Sequence, residues 1–226
     1  MKKEFKDLMY NQTLNASDVM RYSGTHLVRE EPLSSHIYEV SMMSYTIANL
    51  LNSRFNEGIN VGKLLEKALI HDLDETSTGD IVRNVKHHSE VIKNALDEVA
   101  EKSIKNISDN IQGLENIYDV WSTAKEGKEG LIIKLVDMLV VARKASMEVD
   151  VYSNYGALKT VSELTHHLSV LSGHIVSSEI MSKESTNYLT SLMEDVSEHI
   201  STLQSKYYDV LNSYNLGKSI IRSEGE

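Results

Sequence analysis

The sequence predicts an all-α protein, and three observations carry that prediction. The 226 residues contain one proline, Pro32, and 11 glycines, too few breakers for the many turns of a β-rich chain. Aromatic residues make up only 6% of the chain, so the aromatic runs favoured in strands are thin. Hydrophobic residues recur instead at steps of three and four, which gives a helix one apolar face. A hydrophobic content of 41% is ample for one buried core, and no repeat, low-complexity linker or composition break divides the chain. The expectation is a single domain over 1–226, with a helical core at about 15–150 and a C-terminal helical extension at about 155–218.

The elements follow in order. Residues 1–15 are polar and are expected to fray or form a short helix. Ser17-Asp18-Val19-Met20-Arg21-Tyr22 reads as a helical turn capped by Ser17, and Gly24 opens a loop through Glu31. Pro32 suits a helix start, because its missing N–H has no partner there anyway. His36, Val40, Met43, Ile47 and Leu50 then share one face of a helix at roughly 33–54, which puts His36 on the inward stripe. Asn56-Glu57-Gly58 marks a turn, and a second helix is expected from Val61 to about Glu75, carrying Leu64, Ala68 and the His71-Asp72 pair. Thr76 to Asn84 reads as loop, His87 to Lys105 as a polar helix, and 106–113 as broken by Asn, Asp and Gly. A short helix from Leu114 to Ala124 holds Trp121. Gly127 and Gly130 bracket the start of the most apolar helix, Leu131 to about Val149.

Two further stripes complete the chain. Leu158, Val161, Leu164, Leu168 and Leu171 form one, with Ser172-Gly173 as a candidate interruption. The other runs from Leu189 through Leu192, Val196, Ile200, Leu203, Tyr207 and Val210 to Tyr214. Packing against the body and a homodimer seam both fit this second stripe, and a homodimer or higher homo-oligomer is the expectation. The tail from Ser219 to Glu226 is expected to be disordered.

Composition narrows the partners. A formal net charge of −10 argues against broad nucleic-acid binding, which needs Lys and Arg on phosphates. It leaves room for one phosphate held at a metal-centred pocket, where a local dication overrides the overall field. No run of ~18 apolar residues is present, so no membrane span is expected. Met1-Lys2-Lys3-Glu4-Phe5 lacks the apolar stretch of a signal peptide. Cysteine is absent, which rules out disulfides and thiolate metal sites and fits a cytoplasmic location.

The chemistry concentrates in a few polar residues on apolar elements. Asp137 sits in Leu131-Ile132-Ile133-Lys134-Leu135-Val136-Asp137-Met138-Leu139, a helix apolar nearly all round. A buried carboxylate there is costly unless it is paired or bound to metal, and Lys134 is one partner the sequence offers. His36 taken alone reads more readily as a satisfied core histidine than as a ligand. His71 and Asp72 are adjacent, so on a regular helix their side chains diverge by ~100° and can share an ion only in the groove between them. Two imidazoles and two carboxylates make a mixed nitrogen–oxygen set that suits Mn²⁺, Fe²⁺, Co²⁺ or Zn²⁺ better than Ca²⁺. His87-His88 and His166-His167 lie on polar surfaces with no acidic partner in ligand register.

The ordered set His36, His71-Asp72 and Asp137 resembles the H…HD…D signature of the HD-domain metal-dependent phosphohydrolases. That resemblance implies an HD-type helical bundle and a divalent ion, one of Co²⁺, Mn²⁺, Zn²⁺, Fe²⁺ or Mg²⁺, held by those residues. The closer likeness is to the HD-domain 5′-deoxynucleotidases and the related phage dATP triphosphohydrolases. It rests also on Arg21, fifteen residues before His36, on Glu75 in His71-Asp72-Leu73-Asp74-Glu75, and on Thr78-Gly79-Asp80 with Val85-Lys86. It covers roughly residues 15 to 145.

What the resemblance implies is hydrolysis of a deoxynucleoside monophosphate to deoxynucleoside and phosphate. The alternatives are a dNTP triphosphohydrolase releasing triphosphate, a non-catalytic nucleotide-binding module, and a hydrolase of alarmones or cyclic nucleotides. Glu75 would serve as base or orienter for water, and Asp80 would position water or pass a proton to the leaving sugar oxygen. Arg21 and Lys86 would bind phosphate and Tyr22 would sit beside the sugar. The chain departs from the subfamily in having Tyr22 where tryptophan is usual and Ser35 where an acid is usual. After Asp80 it carries Arg83-Asn84 in place of the prolines common in the bacterial enzymes.

Overall fold

The computed structural model describes residues 15–210, together with Lys6 and Asn212. The expectations for the first fourteen residues and for the tail beyond Asn212 lie outside the described residues. Among those described, every regular element is helical apart from one isolated antiparallel bridge between Met20 and Pro32. None of the described helices is long and apolar enough to cross a membrane.

The elements in chain order are α1 (Leu33–Phe55), α2 (Val61–Ile70), the single turns α3 (Glu75–Thr78) and α4 (Arg83–Lys86), α5 (Glu90–Asn110), the short α6 (Ile117–Ser122), α7 (Gly127–Asp150), a 3₁₀ turn (Tyr155–Ala157), α8 (Leu158–Ser178) and α9 (Lys183–Lys206). They form two compact units. The first comprises the chain to Gly24, Glu30–Asp137 and Ile180–Ser182, and the second comprises Thr25–Arg29, Met138–Glu179 and the chain from Lys183. The division falls inside α7, between Asp137 and Met138.

In the first unit α1 packs on α2. Pro32 precedes α1 as its N-cap, and Asn56 closes it in the left-handed conformation with φ 51°. The buried face is Leu33, His36, Ile37, Val40, Ser41, Ser44, Ile47, Ala48 and Leu51. The expected stripe is thus shifted at two places, because Met43 and Leu50 are only half-buried while Ser44 and Leu51 point inward. Asn60 caps α2 by accepting the Lys63 N–H. The same unit has a satellite core of Leu73, Ile104, Ile107, Ile111 and Ile117, against which Trp121 and Tyr118 pack. In the second unit α8 packs on α9 through buried Leu158, Val161, Leu164, Leu168, Leu189, Met193 and Ile200.

Four local expectations are corrected. Residues 17–22 do not form a helical turn: Arg21 N–H donates to Glu31 O at 2.9 Å and Leu33 N–H to Val19 O at 2.8 Å, so the segment lies extended beside the start of α1. The helix from Val61 stops at Ile70 instead of reaching Glu75. Helix α5 runs on to Asn110, through Asn106 and Asp109, because Asn110 bonds back to the Asn106 carbonyl instead of breaking the turn. Helix α8 passes through Ser172-Gly173 unbroken, since a Cβ at Gly173 would meet nothing and the residue imposes no bend.

A candidate metal centre

His36, His71, Asp72 and Asp137 come together in the first unit, with one ligand atom from each lying within 4.8 Å of all the others. Three elements deliver them. His36 stands one turn into α1, and its side chain is fully buried. Asp137 projects from the middle of α7, a third exposed, with Oδ1 3.2 Å from His36 Nε2. Lys134, the partner its own helix offered, makes no ion pair among the described residues.

The end of α2 solves the divergence of adjacent residues. After Ile70 the backbone tightens into i→i+3 bonds, Leu73 N–H to Ile70 O and Glu75 N–H to Asp72 O, both at 3.1 Å. The His71 ring folds back so that Nδ1–H donates to the Ala68 carbonyl at 2.8 Å. A carbonyl only accepts, so Nδ1 carries the proton and Nε2 is turned inward, 3.2 Å from Asp72 Oδ2. Below this turn the Trp121 indole N–H donates to Asp74 Oδ1 at 3.0 Å, anchoring it to the satellite core.

Asp72 is the hub. Its Oδ2 also lies 3.6 Å from His36 Nε2 and accepts from Arg21 Nη1 at 3.2 Å. Arg21 reaches the cluster because its segment runs alongside residues 31–33. Its Nη1 is also 3.5 Å from Glu75 Oε2. Glu75 follows the tight turn and stays largely buried, on the same side as the four converging residues.

The protonation pattern follows from this crowding. Burial disfavours a charged His71, but the Asp72 charge, with Asp137 behind it, outweighs it and pushes the imidazole up to about 9. Burial likewise works against Asp72, yet His71, Lys125 and Arg21 hold its carboxyl well below the usual range. Asp137 is held low by the close His36 imidazole, against burial and the Asp72 charge. Glu75 goes the other way: burial first, then repulsion from Asp72, push it up to about 8.

The donor set fits a dication. Nε2 of both histidines and Oδ1 of Asp137 are buried, and none completes a hydrogen bond despite the close carboxylates. Buried side-chain atoms that converge without completing hydrogen bonds to one another, among the described residues, suit a bound cation. Two ligands of one ion stand at most about twice the metal–ligand distance apart, ~4.2 Å, so the observed spread closes by a few tenths of an ångström.

The remaining expected site residues separate. Asp80 Oδ2 accepts from the Tyr22 N–H at 2.5 Å and the Ser23 N–H at 3.4 Å, so this carboxylate clasps the loop that carries Arg21. Tyr22 sits there in the left-handed conformation with φ 63°, and its buried hydroxyl has no hydrogen-bond partner among the described residues. Lys86 stands on the single turn α4 and makes no ion pair among the described residues. Two residues were missed. Glu31 Oε1 lies 3.7 Å from Arg21 Nε and 3.7 Å from His36 Nδ1, behind the imidazole. Lys125 Nζ lies 3.9 Å from Asp72 Oδ1. An acid five residues before His36 was a visible signal for the first; Lys125, in a polar loop, gave none.

Comparison with known proteins agrees with this geometry. A family profile described as 5′-deoxynucleotidase YfbR-like matches residues 9–163. The 5′-deoxynucleotidase YfbR of Salmonella paratyphi B is 27% identical over 151 residues, covering 62% of this chain and 73% of that one. Two solved structures share the fold. An HD-domain phosphohydrolase from Listeria innocua aligns with a TM-score of 0.57 and 24% identity over 86% of this chain and 98% of its own. A cyanophage S-2L HD phosphohydrolase bound to dA and one catalytic Zn²⁺ ion aligns with a TM-score of 0.57 and 14% identity over 84% and 96%. The profile spans more than half of the sequence and takes in every residue of the cluster, and on that ground the chain belongs to the YfbR-like 5′-deoxynucleotidase family and is a hydrolase on an all-helical HD scaffold.

Proposed function

We propose that this protein hydrolyses the 5′-phosphoester of deoxynucleoside monophosphates to deoxynucleoside and inorganic phosphate, using a divalent ion held by His36, His71, Asp72 and Asp137. The carrying observation is the convergence of those four residues, whose imidazole Nε2 and Asp137 Oδ1 atoms complete no hydrogen bond among the described residues, next to a largely buried arginine and the Glu75 carboxyl. The 5′-deoxynucleotidase activity for which the Salmonella relative is named supports the same reading. Bound there, the ion supplies Lewis acidity, easing deprotonation of water and stabilising charge on the phosphoryl group. The core at about 15–150 would carry the reaction, with the C-terminal helices as an extension of one domain.

The chain's own residues do the rest. Arg21, planar and held against Asp72 and Glu75, offers its fork to two phosphate oxygens. Glu75, largely buried on the side of the four converging residues, takes the proton that the attacking water gives up. The new P–O bond forms in line with the breaking bond to the sugar 5′-oxygen, which leaves with a proton. Asp80 holds the Tyr22-Ser23 backbone and thereby places Arg21 at the phosphate and the Tyr22 ring at the sugar. Its carboxyl is our candidate for passing the proton to the leaving oxygen. Lys86 is kept as a phosphate contact on the Val85-Lys86 match alone. The absence of cysteine supports a cytoplasmic site of action.

The test is phosphate release from the four dNMPs and triphosphate release from the dNTPs, with Mn²⁺, Co²⁺, Zn²⁺ or Mg²⁺ added in turn. Release from dNMPs in the presence of one ion is expected. Triphosphate from dNTPs with no release from dNMPs would replace this reading by the triphosphohydrolase, and activity on neither would end it.

A further inference from the structure

We propose that Lys125, on the loop between α6 and α7, is a substrate-binding residue that grips the phosphate from the side opposite Arg21. The inference rests on the phosphoester reading above and extends it to a residue outside the H…HD…D pattern.

An exposed lysine ordinarily points into water. Lys125 instead leans over the acidic cluster, with Nζ 3.9 Å from Asp72 Oδ1. Its side chain is 55% exposed, so the ammonium stands at the mouth of the site, reachable from solvent. Arg21 approaches the same carboxylate through its other oxygen, Oδ2. The two cations therefore flank Asp72 from different directions, one deep and one at the rim.

The loop under Lys125 is held by residues chosen for it. Lys67 is buried and donates through Nζ to Thr123 O at 2.6 Å and Glu126 O at 2.9 Å, the carbonyls on either side of Lys125. Burying an ammonium to tie down two loop carbonyls is a costly device. Lys67 stands one turn before His71 on α2, so the loop is tied to the helix that delivers His71 and Asp72. On the other side Gly130 leaves the backbone room: a Cβ there would fall 2.2 Å from the Lys125 carbonyl carbon. Few real contacts come so close, so any side chain at 130 displaces the loop.

The chemistry follows from charge. A phosphate monoester is largely a dianion at neutral pH and needs cations on more than one side. A dication held by Asp72 would neutralise that carboxylate and weaken its hold on the nearby ammonium. Lys125 would then be free to meet the incoming anion together with Arg21. A lysine does this as a mobile point charge, which suits a rim position where substrate enters and inorganic phosphate leaves.

The experiment is calorimetric titration of inorganic phosphate into the Mn²⁺-loaded protein, wild type against Lys125→Gln, Lys125→Arg and Gly130→Ala. Loss of one charge-assisted contact should weaken phosphate binding about tenfold in Lys125→Gln. The affinity for Mn²⁺ should stay unchanged, and KM for a dNMP should rise by a similar factor with a smaller change in kcat. Lys125→Arg should recover most of the affinity, and Gly130→Ala should show the same defect with the lysine intact. Equal phosphate affinity in wild type and Lys125→Gln, or no phosphate binding by the loaded wild type, overturns the proposal. Lys125-dependent phosphate binding without release from any dNMP would overturn the hydrolytic reading and leave the anion site standing.

Discussion

Rising pH should weaken the metal-free fold and strengthen its hold on a dication, and both effects come from His71. In the metal-free protein its pKa is raised from 6.5 to about 9, chiefly because Asp72 outweighs burial. A raised value means that the folded state favours the proton. The contribution is fully present below pH 6.5 and is lost as pH climbs through 9. The difference is worth about 3 kcal/mol at most. Glu75, raised from 4.5 to about 8, acts with the same sign, so the metal-free protein should lose stability steadily between pH 5 and 9. Binding an ion requires the Nε2 lone pair, so below pH 9 it must displace the His71 proton, and apparent affinity should gain about tenfold per pH unit. The stabilisation conferred by Mn²⁺ should therefore be about 3 kcal/mol greater at pH 8.5 than at pH 6, roughly 5–10 °C more in Tm shift for a chain of this size. Scanning calorimetry with Mn²⁺ and with chelator, and titrations in two buffers of different ionisation enthalpy to count released protons, measure it. An equal Mn²⁺ shift at both pH values with no proton released would refute the reasoning.

Other predictions follow from the same contacts. Asp137→Ala should lose bound metal and turnover together while the fold survives, because this side chain is a third exposed; elemental analysis beside a phosphate assay checks it. Glu75→Gln should keep its metal yet lose on the order of a hundredfold or more in kcat, and unchanged turnover would remove Glu75 from the mechanism. Glu148, fully buried, accepts from the Val28 and Arg29 N–H groups and from Asn154. Against burial, those donors and Lys144 hold its carboxyl down to about 2, so its contribution is present above pH 4.5 and lost as pH falls toward 2. Glu148→Gln should cost about 2–3 kcal/mol at pH 7 and flatten the acid limb of the stability curve, read by urea melts. Lys67→Met should cost about 2 kcal/mol by orphaning two carbonyls, and hydrogen exchange should quicken at residues 123–126.

The sequence carried the helical class and the order of the long helices, since three-and-four spacing and scarce breakers act locally. Helix α1 appeared at 33–54 by spacing and at Leu33–Phe55 in space. The resemblance singled out His36, His71, Asp72 and Asp137, and the structure brings those four together. Local spacing failed where local rules gave way to longer contacts. The segment around Arg21 pairs with residues 31–33 instead of coiling on itself, and that pairing is what carries the guanidinium to Asp72. The helix from Val61 ends early for a reason closer at hand: after Ile70 the chain tightens and the His71 ring bonds back to the Ala68 carbonyl, a contact that apolar spacing does not show.

By itself, then, the sequence determined where the long helices run and which chemical groups the chain possesses. Only the tertiary structure decided that Asp137 faces His36 rather than Lys134, that Asp80 clasps the Tyr22 backbone, and that Lys125 stands over Asp72. Helix formation is settled among residues three and four apart. The burial of the site and its longer charge pairs, such as Arg21 with Asp72 and His36 with Asp137, join groups far apart along the chain, whose distances exist only once the helices have packed.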